Sequence, residues 1–251
     1  MIPRAVLFDL GQTLIDYRLQ TAADWGDLLR ARLVHLHPRF RALAPALDDD
    51  LPGFVARAVE AMWPGQRINH SGKAWHFRDR LRAALAPYGY DGDDPDDLEA
   101  LSESFYQPIR ASTALYPETP GVLAALRAAG LPLAIVSNTP WDFPGRFPQG
   151  DMRLWKIDHH FQALVLSGDI PWRKPNREFM LLAARQLGVE PEHCLVVGDS
   201  LRADVAGAQA AGMTSVWVNR DSRVPPAEAP EPDYTVAAVS DILPTVFGLQ
   251  Q

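Results

Sequence analysis

Several polar residues in this chain close short apolar runs, and their types suit the handling of a charged group. Asp9 follows Ala5-Val6-Leu7-Phe8, Ser137 and Asn138 follow Leu133 to Val136, and Asp199 follows Cys194 to Gly198. Lys174 lies in a loop beyond a further run, Phe161 to Ser167. A short apolar run of this kind reads as a strand buried in a parallel sheet. In open α/β sheets, ligands sit outside the carboxyl ends of the strands. A carboxylate there can serve as a nucleophile, a metal ligand or a helix cap. Two carboxylates, a lysine, a hydroxyl and free backbone amides together suit a phosphate with Mg²⁺, which favours one or two carboxylates plus substrate oxygens and waters. The metal and Lys174 would offset the repulsion between a carboxylate nucleophile and a phosphate, and Ser137 would hydrogen-bond a phosphoryl oxygen.

Helices must alternate with those strands to bring their ends to one edge. Thr119-Pro120 opens a helix through Val122, Leu123 and Leu126 that Gly130 ends. Asn176 is placed to cap another, with Phe179, Leu181, Leu182 and Leu187 on its apolar face, and an Ala- and Gly-rich helix follows Ser200. Thr214 to Val218 and Tyr234 to Val236 read as the last strands. The fold class expected is α/β, a Rossmann-like, doubly wound parallel sheet. Residues 16–112 interrupt it. Thr21 with Asp24 reads as a capping box ahead of Trp25, Leu28, Leu29, Leu33 and Leu36. A second helix runs through Phe54, Val55, Ala58, Val59 and Met62, and a third through Trp75, Leu81 and Leu85 to about Gly89. Asp94-Pro95 opens a fourth, with Leu98, Leu101, Phe105 and Tyr106. The expectation is an all-helical domain of residues 16–112, without strands, inserted into a core formed by 1–15 and 113–251.

The bulk numbers narrow the function classes. With 251 residues, 47% hydrophobic and 22% charged, the chain reads as an ordinary globular protein. A net charge of −7 argues against nucleic acid or an acidic membrane as partner. One cysteine, Cys194, precludes an internal disulfide, and it reads as core filler within an apolar strand. No apolar run reaches membrane-spanning length and no signal-type stretch precedes the first strand, so cytoplasm is the expected location.

Taken together, the motifs resemble the haloacid dehalogenase-like (HAD) hydrolases. Four match in order: Phe8-Asp9-Leu10-Gly11-Gln12-Thr13; Val136-Ser137-Asn138; Arg173-Lys174-Pro175; and Val197-Gly198-Asp199-Ser200 with Asp204. None is specific alone; their order on successive strand ends is. The helical insertion resembles the C1-type cap of that family, and the resemblance covers nearly the whole chain. It implies that Asp9 is the nucleophile and forms an aspartyl-phosphate. It implies that Ser137, Asn138 and Lys174 bind the phosphoryl group of a small phosphorylated substrate. Asp9, the carbonyl of Gly11 and Asp199 would hold Mg²⁺, with Thr13 and Asp204 in support.

One departure bears on mechanism. Phosphatases of the family carry a second aspartate two positions after the nucleophile, as general acid and base; here that residue is Gly11. Such catalysis is typically worth about 10² to 10⁴ in rate, or roughly 3–5 kcal/mol of barrier. Three outcomes follow: a substitute donor among His70, His76 and Asp16; a substrate with a good leaving group, such as an acyl phosphate; or weak turnover, which describes a phosphate-ester-binding regulatory protein. Restoring the carboxylate by Gly11→Asp is expected to raise turnover. Gln12 replaces the usual glycine before Thr13, and its amide is within reach of the site. Dehalogenases of the family lack the acidic pair, so Asp199 and Asp204 argue against dehalogenation. Phosphonoacetaldehyde hydrolases place a small residue at the Gly11 position and use a cap lysine as a Schiff base; Lys73 is the lysine available, and it would have to be desolvated.

Other features have plain readings. His159-His160 reads as surface or packing, and the acidic run Asp91 to Asp97 as a solvated turn. Trp141, Trp155 and Trp172 flank an irregular segment, Pro140 to Gly150, and line a substrate entrance, line a partner surface or anchor the core.

Overall fold

In a computed structural model, which describes residues 3–248 except 20, 67, 68, 70, 91, 93 and 94, six parallel strands form the main sheet. They are β1 (Ala5–Phe8), β4 (Leu133–Ser137), β5 (Ala163–Leu166), β6 (Cys194–Gly198), β7 (Thr214–Val218) and β8 (Tyr234–Val236), in the order β5-β4-β1-β6-β7-β8. Every residue of β1, β4 and β6 is buried, which is why these strands read as continuous apolar runs without alternation. The order reverses between β1 and β6, and the crevice beyond that switch point is where an open α/β sheet takes its ligands. Phe8 pairs with Ile135 on one side and Val197 on the other. Ser137 and Asp199 therefore stand one residue beyond the level of Asp9 on the two flanking strands.

Helices α5 (Thr119–Ala128), α7 (Arg177–Leu187), α8 (Ala206–Ala211) and α9 (Ile242–Gly248) belong to the sheet layers, as does α6 (Arg146–Leu154). Asn176 caps α7 as expected, its Oδ1 accepting the Glu178 N–H at 2.9 Å. The segment expected to be irregular becomes helical at Arg146, because Phe147 and Met152 bury one face. The C-terminal helix, buried through Ile242 and Val246, lies beyond the last element expected from the sequence.

Between Ala22 and Ser112 lie α1 (Ala22–Leu43), α2 (Leu51–Met62), α3 (Phe77–Leu85) and α4 (Pro95–Ser112). The Thr21–Asp24 capping box forms in both directions. Leu33, Phe40, Phe54, Leu81, Leu101 and Phe105 share one buried cluster with the upper face of the sheet. Asp94 and part of the acidic run, like His70, fall outside the described residues. Two expectations need correction. The interruption is not purely helical, since β2 (Ile15–Asp16) pairs antiparallel with β3 (Ala114–Leu115) where the chain leaves and re-enters the sheet region. Trp75 precedes α3 rather than lying in it, because its segment is held extended against the core loop before α7. The Arg173 N–H donates to Gly72 O at 3.1 Å, and the Ala74 N–H to Pro171 O at 3.0 Å.

Asp142 ties this seam together. Its carboxylate accepts the Trp75 N–H at 2.7 Å, the Ser167 hydroxyl at 2.5 Å and Arg173 Nη1 at 2.8 Å, and the side chain is 1% exposed. Phe143 beside it stacks on Phe77 at 3.9 Å. Removing one partner of a buried, hydrogen-bonded ion pair strands the other charge. Asp142→Ala should lower unfolding stability by about 3–5 kcal/mol in urea titrations; a loss well under 1 kcal/mol would show that the seam does not depend on it.

Candidate active site

The four sequence motifs meet at the carboxyl edge of the sheet. Asp9 extends β1 by one ladder bond, its N–H donating to Val197 O at 2.9 Å, and its side chain rises into the crevice beside β6. Asp9, Asp199 and Asp204 each offer a carboxylate oxygen, and these atoms all lie within 4.8 Å of one another. The approach requires Gly198: a Cβ there would fall 2.2 Å from the Asp204 carboxyl carbon. Lys174 is fully buried and its ammonium bridges two of the acids, 2.6 Å from Asp9 Oδ1 and 2.5 Å from Asp204 Oδ1. The other oxygen of Asp204 accepts the Ser200 N–H at 2.9 Å. That leaves Asp9 and Asp199 as the pair turned to the crevice.

Electrostatics follow from this crowding. Burial, then the charges of Asp9 and Asp204, push the Asp199 carboxyl up to about 8. Burial pushes Asp204 up to about 6 despite Lys174. Lys174 itself is pulled down by burial, but Asp204 and Asp9 outweigh that and raise it. Three carboxylates face one buried ammonium and, at 3.6 Å from Asp199, the half-exposed Arg223. A further positive charge fits the deficit, and oxygen donors of this kind match a hard divalent cation.

The remaining expected residues are distributed around this cluster. Ser137 ends β4 and is 2% exposed. Asn138 clamps the lysine's backbone, accepting the Lys174 N–H at 2.8 Å and donating to Lys174 O at 3.1 Å, so its amide positions Lys174. Thr13 is buried with a hydroxyl that has no hydrogen-bond partner among the described residues, and its carbonyl accepts Arg220 Nη2 at 3.1 Å. Gln12 Oε1 accepts the Tyr116 hydroxyl at 3.2 Å. Lys73 is not brought to the site: it is exposed at the surface and pairs through its backbone with Trp172, which removes the desolvation a Schiff-base lysine needs. His76 lines a separate surface cleft with Arg78 and Asp79. Asp16 accepts the Arg18 N–H at 2.7 Å and lines a polar cleft that also reaches Asp199.

The space beside Gly11 belongs to a residue that sequence reasoning missed. A tight turn at Gln12 (φ 56°) returns the chain so that the Tyr17 ring covers Gly11. A Cβ at Gly11 would lie 2.4 Å from Tyr17 Cε2 and 3.3 Å from Cζ, so the missing side chain and the tyrosine are mutually exclusive. Burial, then the charge of Asp9, raise the Tyr17 phenol and keep it protonated. No local periodicity marks Tyr17; only the returning turn does. The contact gives Gly11→Asp a cost in stability that the sequence alone did not show. That substitution should destabilise the protein by about 1–3 kcal/mol through overpacking, and Tyr17→Ala in the same chain should recover part of the loss. Additive effects of the two changes in thermal melts would contradict the contact.

Comparison with known proteins agrees with the geometry. A family model for the haloacid dehalogenase-like hydrolases matches residues 3–212. A phosphoserine phosphatase of Thermus thermophilus is 32% identical, covering 95% of this chain and 97% of its own. A phosphoglycolate phosphatase of Escherichia coli O157:H7 is 30% identical, covering 97% and 92%. Among solved structures, a HAD phosphatase from Thermococcus onnurineus superposes with a TM-score of 0.63 at 23% identity, covering 98% of both chains. A 2-haloacid dehalogenase from Pseudomonas syringae pv. Tomato DC3000 gives 0.64 at 25%, covering all of both. Matched by the family model and along nearly its full length by these relatives, the chain belongs to the haloacid dehalogenase-like hydrolases.

Proposed function

We propose that the protein is a Mg²⁺-dependent phosphatase that hydrolyses a small phosphate ester through a phosphorylated Asp9. The observation carrying this reading is the convergence of Asp9, Asp199 and Asp204 within 4.8 Å around the buried ammonium of Lys174. The phosphatases among its relatives support it. Asp9 and Asp199, with the Gly11 carbonyl, would hold the cation. When bound, Mg²⁺ neutralises carboxylate and phosphoryl oxygens, so that an anion can approach an anion.

The chain's own residues do the rest. An Asp9 oxygen attacks phosphorus, the bond to the leaving oxygen breaks, and water then attacks phosphorus of the aspartyl-phosphate to release phosphate and regenerate Asp9. Lys174 and Ser137 hold phosphoryl oxygens, and Asn138 and Asp204 keep Lys174 in place. Thr13 supports the loop beneath. The helices from α1 to α4 act as a cap that excludes water and selects the leaving group. Tyr17, beside Asp9 and firmly protonated, offers a hydrogen bond to the departing oxygen in place of the absent carboxylate.

Asp9→Asn should abolish Mg²⁺-dependent phosphate release from p-nitrophenyl phosphate and acetyl phosphate; undiminished release would overturn the reading, and ester binding without turnover in the unaltered protein would favour a binding role. Tyr17→Phe should slow p-nitrophenyl phosphate more than acetyl phosphate, whose leaving carboxylate needs no proton; equal effects would remove Tyr17 from the reaction. The pH dependence has a definite sign. The folded protein holds a proton on Asp199 that the unfolded chain releases near its ordinary value of 3.8, so metal-free stability falls as pH rises toward about 8. Mg²⁺ relieves that repulsion, so the Mg²⁺-induced rise in Tm should be larger at about pH 8 than at about pH 6. A shift independent of pH would count against a cation at Asp199.

A further inference from the structure

A cavity of about 230 Å³ opens between the helical insert and the sheet, directly beyond Tyr17 and Asn138. Its walls include Trp25, Trp63 and Trp75 from the insert and Trp141 from the core. Trp25 meets Trp141 edge-on at 5.4 Å, and Trp63 meets it at 6.4 Å. Trp141 and Asp142 both adopt positive φ, 45° and 52°, in the loop that follows Asn138. Left-handed backbone at two consecutive non-glycine residues is strained and persists only where surrounding contacts enforce it. The strain here aims one indole into the cavity and one carboxylate at the seam.

The charges in this cavity do not balance. Arg173 and Arg80 bring two guanidinium groups, and Asp142 is the carboxylate among the lining residues. Asp142 is bound by Arg173 through both oxygens, at 3.0 and 2.8 Å, and by Ser167 and the Trp75 N–H. Arg80 stacks over the Trp75 ring at 4.0 Å and donates to Ala61 O at 2.9 Å. Among the described residues no carboxylate lies within ion-pair distance of it. One cation therefore faces an aromatic chamber with no ion-pair partner among the described residues.

We propose that this cavity binds the leaving group of the substrate, and that the substrate is an aryl phosphate carrying a second anionic group that pairs with Arg80. This rests on the phosphatase reading above. The aromatic ring would pack among the indoles, and its carboxylate would complete the charge of Arg80. The same substrate suits the chemistry at Gly11. A phenolate, with a pKa near 10, leaves with less protonation than an alkoxide and so tolerates a site whose nearest donor is a tyrosine hydroxyl. Esters with short polar bodies, such as phosphoglycolate, would leave the indole surface unfilled.

The test is calorimetric binding to the Asp9→Asn protein in Mg²⁺, which separates recognition from turnover, with phenyl phosphate, 4-carboxyphenyl phosphate and phosphoglycolate as probes. The carboxylated aryl ester should bind about tenfold tighter than phenyl phosphate, the size of one charge-assisted hydrogen bond, and phosphoglycolate should bind weakest. Arg80→Gln should bring the ratio of the two aryl esters close to one, and Arg80→Lys, which keeps the charge, should retain part of it. A ratio near one with Arg80 intact, a ratio unaffected by Arg80→Gln, or a preference for phosphoglycolate would overturn the proposal while leaving the phosphatase reading standing. Failure of all three esters and of inorganic phosphate to bind would overturn both.

Discussion

Three carboxylates gathered around one buried ammonium is the arrangement on which the rest of this structure depends. Burial in the crevice, reinforced by the neighbouring carboxylates, raises Asp199 and Asp204 above the ordinary carboxylate range. The fold imposes the crowding through elements that gain stability elsewhere. β1 and β6 are buried along their lengths, and their parallel register delivers Asp9 and, one residue further along, Asp199 to the same edge whether or not the acids favour it. Gly198 removes the one side chain that would hold Asp204 off. The stored repulsion is what a divalent cation and a phosphoryl group are placed to relieve, so stability is lost where binding energy is gained.

The seam between the insert and the core is coupled to the same cluster. The loop that carries Lys174 is bonded at its start to Gly72 and Ala74 of the insert, and Arg173 is fixed by Asp142, which also holds the Trp75 N–H. Docking of the insert and placement of the lysine are thus mechanically linked through one short loop, residues 171–174. The aromatic cavity lies on this seam, and Tyr17 and Trp25 line both it and the cleft that reaches Asp199.

What could be read from the sequence was what local pattern determines. Apolar runs ending in Asp9, Ser137 and Asp199 revealed strand ends, and Asn176 and Thr21 announced helix starts, because capping and strand burial act over a few residues. The order of the motifs then implied the family. The partner of Gly11 was illegible, since Tyr17 reaches it through a turn with positive φ at Gln12 and Arg18 that no periodicity encodes. Trp75 sat at helical spacing with Leu81 and Leu85, yet its backbone is claimed by Asp142 from a distant loop. Arg80 is a polar position on a helix; only the assembled cavity shows that it has no ion-pair partner among the described residues. Lys73 illustrates the converse: the family resemblance made it a candidate, and exposure removes it.

The chemistry at Asp9 is open to direct measurement. Rapid quenching of the Mg²⁺-loaded protein during turnover of acetyl phosphate, followed by mass spectrometry of the peptide that contains Asp9, measures it. A phosphoryl group on Asp9 that forms and decays at the rate of turnover is the expected result. Phosphate release with Asp9 unmodified throughout, and undiminished when Asp9 is replaced by Asn, would contradict it.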